Sequence, residues 1–479
     1  MKWITISCIL CVFGCFKEFR PSESFVTDYL TGPWKNFTDT QVNEEIFPIS
    51  TYAYFGTLII VFLITDFVRY KPVLILCGIS GAITFLLILL GHDVLTMQIL
   101  EFFYGLFLST EVAYYTYIYA KVDKKHYQEV TSHTKAASLV GRCMAGIIAQ
   151  LTTSLNVLDY HQLNYITISA IVFATVWAFF LPPVGQSIYF HKRDENDSTS
   201  TNNGITLSQQ QNLNQVLCTS EHCIEHPSCN TNISLIYKVK RAYILLWKDF
   251  LEAYSNSHVV KWSIWWSFST CGYLQVIAYI QLLWRTAVSP GDSIYNGAVD
   301  SLYTIIGTIT VFCIGKIPFN WSFIGDIVVS LMSFVEGTLL LISSYSHDIW
   351  LLYAMYIVFG IIYHTMVTVS SFEVAKCISE DSYGLIFGVN TFFALLLQSI
   401  LTAIVVTGNL QLNLRSQYFV YGSYFIVIAV LYMIIGIFNI VQHCKEGAGC
   451  KIWTKDESIT TKAQSEDGTG SSKSQSPSV

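Results

Sequence analysis

Apolar positions in this chain collect into long unbroken runs instead of alternating with polar ones. The runs lie near residues 3–29, 45–66, 71–91, 95–120, 131–154 and 161–182, and again near 259–284, 294–314, 322–344, 349–375, 383–407 and 417–442. Each is close to the roughly 18–25 residues that a helix needs to cross about 30 Å of hydrocarbon. The pattern predicts an all-α membrane protein with twelve transmembrane helices in two six-helix halves. The halves are residues 1–182 and 259–442, joined by a polar loop at 183–258 and followed by a polar tail at 443–479. The tail ends in "GTGSSKSQSPSV", too polar to bury a core, and is expected to be disordered.

Composition agrees, since 52% of the 479 residues are hydrophobic, 15% aromatic and only 13% charged, too apolar for a soluble chain of this length. Two six-span halves with a long connecting loop are the plan of a major facilitator transporter, whose halves rock about a site near the membrane midplane. "TDFVRYKP" at 65–72 fits the short charged hinge of such carriers at the inner corner, or an ordinary basic anchor. With both termini cytoplasmic, twenty of the 27 lysines and arginines fall on the inner side and only Lys35, Arg285 and Arg415 fall outside, as the positive-inside rule requires. The formal net charge of −6 says little about partners, because insertion into lipid organises the chain, and no nucleic acid is expected. "MKWITISCILCVFGCFK" has the outline of a signal peptide. The apolar run continues past Arg20 into "SFVTDYL" without a clean cleavage site, so it is read as the first span.

None of the thirteen cysteines falls in an expected outer loop, where a disulfide would form. Cys218, His222, Cys223, His226 and Cys229 cluster in the inner loop, but their spacing matches no standard zinc site. No metal or cofactor is expected. The sequon at Asn36 lies in the first outer loop and is the expected glycosylation site, whereas those at Asn196, Asn232 and Asn320 fall on the inner side.

Candidate chemistry centres on the fourth span, "FYGLFLSTEVAYYTYIYAK" at 103–121. At 100° per residue Glu101, Tyr104, Leu108, Glu111, Tyr114 and Tyr115 share one helix face. A carboxylate at the bilayer centre costs about 2.5–3.5 kcal/mol on insertion scales, so this face is turned to a cavity or a partner. One reading is a structural ion pair with Lys135 or Arg142. The other is recognition of a flat organic cation by carboxylate and tyrosine rings.

Several longer motifs carry a family resemblance: "RPSESFVTDYLTGPWKNFT", "TDFVRYKPVLIL", "EFFYG", "EVAYYTYIYA", "WWSFSTCGYLQVIAYIQLLW", "SIYNGAVD", "FGVNTFFALLLQSI" and "YFVYGSYF". From about residue 19 to 435, apart from the inner loop, the chain resembles the reduced folate carrier family of vitamin transporters. Folate carriers of that family have basic residues where this chain has Glu111, Gly360 and Gln398, and an anionic folate tail would meet repulsion at Glu111. Thiamine carriers are similar to it in "EVAYY" and in Gln398. The resemblance therefore implies import of a vitamin cation, thiamine, across the plasma membrane by alternating access, driven by proton exchange. It implies a site of Glu111 and Tyr114, with Glu23 and Asp300 on opposite walls and Tyr104, Tyr115, Tyr279 and Gln398 around them. Ser50 and Ala278 depart from the thiamine pattern of tryptophan and asparagine. His364 and Glu336 are further membrane-embedded titratable groups, each with a structural and a proton-coupling reading. Folate or pyridoxine transport, and a receptor of the same fold that binds without net transport, stand as alternatives. No nucleophile–base or metal motif of an enzyme emerges, and the oligomeric state is not legible.

Overall fold

A computed structural model of the chain describes residues 3–122, 126–184, 235–289, 293–314, 320–378, 382–408 and 410–445, all of it helix, turn or coil. The Cys218–Cys229 cluster, the sequons at Asn196 and Asn232, and the tail from 446 onward lie outside the described residues. Helices α1 (Trp3–Glu18) and α2 (Val26–Thr31) form the first predicted span, with a 3-10 turn at Pro21–Phe25 between them. The second is α3 (Phe47–Val68), preceded by a π turn at Gln41–Ile46, and the third is α4 (Lys71–Leu90). The fourth is split into α5 (Val94–Ser109) and α6 (Glu111–Lys121), and the fifth and sixth are α7 (Tyr127–Ser154) and α8 (Tyr160–Ala178). After α9 (Leu235–Tyr254), the later spans are α10 (Ser257–Arg285), α11 (Asn296–Ile314), α12 (Trp321–Tyr345), α13 (Ile349–Ala375), α14 (Tyr383–Val405) and α15 (Leu414–Lys445). The sequence pattern did not anticipate α9, which lies in the stretch read as a polar loop.

By length and composition seven described helical segments can cross a membrane: 41–68, 71–90, 296–314, 323–345, 349–375, 383–405 and 414–442. The remaining expected spans fall on helices that are broken, as in the first and fourth, or less apolar, as in α7, α8 and α10. The polarity has a reason, since α7 carries Lys135 and Arg142, and the two breaks sit where charges cluster. Arg20 precedes Pro21, whose ring excludes the helical region for the residue before it, and Arg20 accordingly adopts φ −126°, ψ 71°. α5 ends at Thr110, whose hydroxyl donates to the Phe107 carbonyl at 2.7 Å, and Glu111 opens α6, where the positive end of the helix dipole favours a carboxylate.

Packing repeats along the chain. In the first set α1 pairs with α7, α3 with α5, and α4 with α8; in the second α10 pairs with α14, α11 with α13, and α12 with α15. The two sets meet along α7–α11 and α3–α14. Glycine permits the first approach, because a Cβ on Gly146 would stand 2.3 Å from Ser301 Oγ and 2.6 Å from the Gly297 carbonyl. At the 65–72 corner Arg69 and Tyr70 take left-handed φ values of 65° and 63°. Tyr70 donates to Asp66 and Lys71 Nζ donates to the Phe179 carbonyl at 2.9 Å, so this corner is a tight, internally bonded turn.

At the end expected to be extracellular the two sets are tied together. Gln281 Nε2 donates to the Glu23 carbonyl at 2.8 Å and Gln281 Oε1 accepts the Thr27 N–H at 3.2 Å. Arg285 pairs with Asp39 at 3.0 Å and reaches Asp28 at 3.5 Å. Gln150 donates to the Ile294 carbonyl at 3.0 Å and accepts the Ala298 N–H at 3.2 Å.

Candidate substrate cavity

The break in the first span and the break in the fourth face each other, and an alternating chain of charges joins them. Lys17 Nζ lies 3.1 Å from Glu111 and 2.9 Å from Glu18. Glu18 in turn accepts from Arg20 at 3.0 Å and from Arg142 of α7 at 2.8 Å. Arg20 continues to Glu23 at 2.6 Å. The side chains of Lys17, Glu18 and Arg20 are 4%, 3% and 5% exposed, whereas Glu111, Glu23 and Arg142 are 33%, 31% and 40% exposed. A buried three-charge hub therefore presents two carboxylates and one guanidinium to open space. Every charge of the hub has an ion-pair partner, which is the condition for burying charge at all, although Arg20 Nε is left without a hydrogen-bond partner.

The ion-pair partner of Glu111 is thus Lys17, and neither Lys135 nor Arg142. The reason is the break at Arg20: it ends α1 just after Lys17 and aims that side chain across at the start of α6. Lys17, Glu18 and Arg20 were legible only as charges near the end of the first span. Their signal was three charges within four positions ahead of a proline inside an apolar run.

Of the residues on the expected face, Tyr104 and Tyr115 are half-buried. Tyr115 lies in the field of Glu111 and Lys17, and Tyr104 in that of Glu23 and Arg20. Glu101 is buried. Tyr114 is turned the other way: it is buried, its hydroxyl donates to the Leu10 carbonyl at 2.9 Å, and Tyr115 meets it edge-on at 5.1 Å. Its ring packs on α1, with Lys17 Nζ 5.9 Å from the ring centroid. Tyr54 of α3, which the sequence did not single out, lies in the field of Glu111 and Lys17.

The C-terminal helices supply the opposite wall. Asp300, half-buried on α11, accepts from Ser24 Oγ at 2.9 Å across the interface. Tyr273 stacks on Tyr363 at 3.8 Å with a 6° interplanar angle, and its hydroxyl lies 3.1 Å from His364 Nε2. His364 also stacks on Tyr303 at 5.9 Å and 9°. Gln398 is buried and its amide reaches Thr51 of α3 at 3.5 Å, so it bridges the two sets. Tyr279 is buried against Phe47, and Glu101 and Tyr52 lie within electrostatic reach of its hydroxyl. Glu336 is fully buried with both oxygens unpartnered, and Tyr363 lies in its field. Among the described residues no cluster of three or more histidines, cysteines or carboxylates has metal-site geometry.

A charged, half-open centre between two helical sets is transporter architecture, and comparisons with other proteins agree. The profile described as reduced folate carrier matches residues 1–420. The chain belongs to the reduced folate carrier family. It is 38% identical to human thiamine transporter 1 over 461 residues, covering 93% of this chain and 92% of that one. It is also 38% identical to human thiamine transporter 2, covering 90% of each, and 32% identical to the human reduced folate transporter, covering 93% of this chain and 74% of that one. Among solved structures, the nucleoside transporter NupG superposes with a TM-score of 0.55 at 17% identity over 91% of this chain and 99% of its own. A POT family transporter gives 0.59 at 10% identity over 90% and 96%. These neighbours show the major facilitator fold. The chain is accordingly a multi-pass membrane transporter of a vitamin-carrier family and not an enzyme.

Proposed function

We propose that the protein imports thiamine, or a close organic cation, across the plasma membrane by alternating access. The observation that carries this reading is the charge balance of the cavity. Glu18, Glu23, Glu111 and Asp300 face Lys17, Arg20 and Arg142, four carboxylates to three cations. A monocation completes that balance, and a dianion opposes it. Tyr115 and Tyr54 offer ring faces and hydroxyls near Glu111, and Tyr104 near Glu23, for a flat charged heterocycle. Tyr114 takes part by fixing Lys17 and α1 behind the site. Gln398, Tyr279 and Asp300 line or brace the far wall, and the six-helix sets at 1–182 and 259–442 are the rocking bodies. Because the outer ends are tied by Gln281, Arg285 and Gln150, this conformation is closed outward. Substrate shifts the equilibrium only by its differential affinity for the two openings. Proton exchange drives uptake in this reading, with the termini cytoplasmic and Asn36 glycosylated.

The test is an uptake panel in cells lacking their own carriers. Saturable entry of labelled thiamine that collapses with the pH gradient is expected, with little entry of folate. Preferential folate entry would overturn the cation assignment, and saturable binding without entry would favour a receptor.

A further inference from the structure

The three cations of the charge chain differ in how many carboxylates they contact directly. Lys17 is held between two carboxylates, Glu18 and Glu111, and Arg20 between Glu18 and Glu23. Arg142 contacts Glu18 alone, at 2.8 Å through Nη2, and Glu18 is already bridged at 2.9 Å and 3.0 Å by Lys17 and Arg20. The three cations are matched by three carboxylates, Glu18, Glu111 and Glu23, but Arg142 has only one direct partner among them. That bond uses one of five guanidinium donors, and no other described carboxylate lies within 4 Å of it.

Its setting turns the free donors inward. Gly141 of α7 packs so tightly on the Cys15 carbonyl that a Cβ would stand 2.1 Å from it, and Gly146 packs likewise on Ser301 and Gly297. Arg142 lies between these two contacts, at the seam of the two helical sets. Tyr303 and Tyr273 lie within reach of its charge, as does His364. Glu23 and Asp300 also lie in its field, but neither is within 4 Å, so its remaining N–H donors have no other described carboxylate as a direct partner. When the halves rock closed, a guanidinium that is 40% exposed here loses its water, and buried donors left without an acceptor are unfavourable. Its planar fork suits a carboxylate or phosphate.

We propose that Arg142 is an oxyanion subsite facing Glu111 and Glu23, so that the cavity accepts a zwitterion: a cationic heterocycle bearing a carboxylate or phosphate on a short arm. This rests on the reading of the cavity as an organic-cation site and narrows its ligand class. The experiment is competition for labelled thiamine uptake by unlabelled thiamine, its monophosphate ester and its acetic-acid analogue. At least one acid is expected to inhibit at about tenfold lower concentration than thiamine, the scale of one charge-assisted hydrogen bond. Which acid it is separates phosphate from carboxylate. In Arg142→Gln, normalised to surface protein, that preference is expected to vanish, and in Arg142→Lys to survive in part. A wild-type preference below threefold for both acids, or one that persists in Arg142→Gln, overturns the proposal, and the wild-type arm decides if the variant fails to reach the surface. Should thiamine not be transported at all, the thiamine reading fails on its own. The subsite is then read from thermal stabilisation of purified wild-type protein by each acid against thiamine, with the same threefold limit.

Discussion

The charge chain makes two carboxylates, chemically alike and joined through Lys17, behave differently on neutralisation. Glu18 is the hub: replacing it by glutamine leaves Lys17 with Glu111 and Arg20 with Glu23, but strips Arg142 of its one carboxylate and weakens the other two pairs. Breaking a buried ion pair from one side costs about 3–5 kcal/mol, so Glu18→Gln is expected to lower thermal stability markedly and reduce the folded fraction. Glu111 is a terminus, one third exposed, and in Glu111→Gln the lysine still has Glu18 at 2.9 Å. Solvent discounts its structural share, and folding is expected to survive. The loss falls on the ligand instead, at about 1.5–3 kcal/mol for a charged hydrogen bond left unmade, or roughly 10- to 150-fold in apparent affinity. The assay pairs fluorescence-detected thermal unfolding in detergent with uptake per surface molecule. A Glu18→Gln protein as stable as wild type would refute the hub, and wild-type uptake by Glu111→Gln would refute the role of the terminus.

Other consequences can be measured separately. Arg285→Ala removes an exposed latch worth up to about 1 kcal/mol, so a cysteine placed at Thr27, in a background lacking exposed cysteines, should be labelled from outside roughly fivefold faster; an unchanged rate would detach Arg285 from closure. Gly146→Leu should overpack the α7–α11 crossing by about 1–3 kcal/mol or more and slow uptake with little loss of surface protein, and normal uptake would show that this contact need not close. Asn36→Gln should abolish the glycan shift on gels, and a shift that persists would place another sequon outside.

The apolar runs made nearly all helix positions legible, because the bilayer demands long apolar helices and offers the backbone no other partner. What they concealed were the interruptions. The first run reads as continuous to residue 29, yet Pro21 and the charges before it break it, and the fourth run breaks at Thr110 where no glycine or proline marks the spot. The helical wheel grouped Glu101, Tyr104, Glu111 and Tyr115 with Tyr114, but it could not show that Glu101 and Tyr114 are buried against neighbouring helices. Glu111 was legible as a buried charge needing a partner. Lys17 was not legible as that partner, because the pairing depends on how two breaks face each other across some ninety residues of sequence. Arg142 was weighed only as a structural cation, and its exposure at the seam is visible only once α7 is docked between α1 and α11.

Counterflow in proteoliposomes tests the central claim most directly, because it requires one site to be reached alternately from both sides. With purified protein and excess unlabelled thiamine inside, labelled thiamine outside should enter faster than into empty vesicles, overshoot, and then decline, while folate inside gives no acceleration. Binding of thiamine without trans-acceleration, or acceleration by folate and not by thiamine, would contradict a cation carrier working by alternating access.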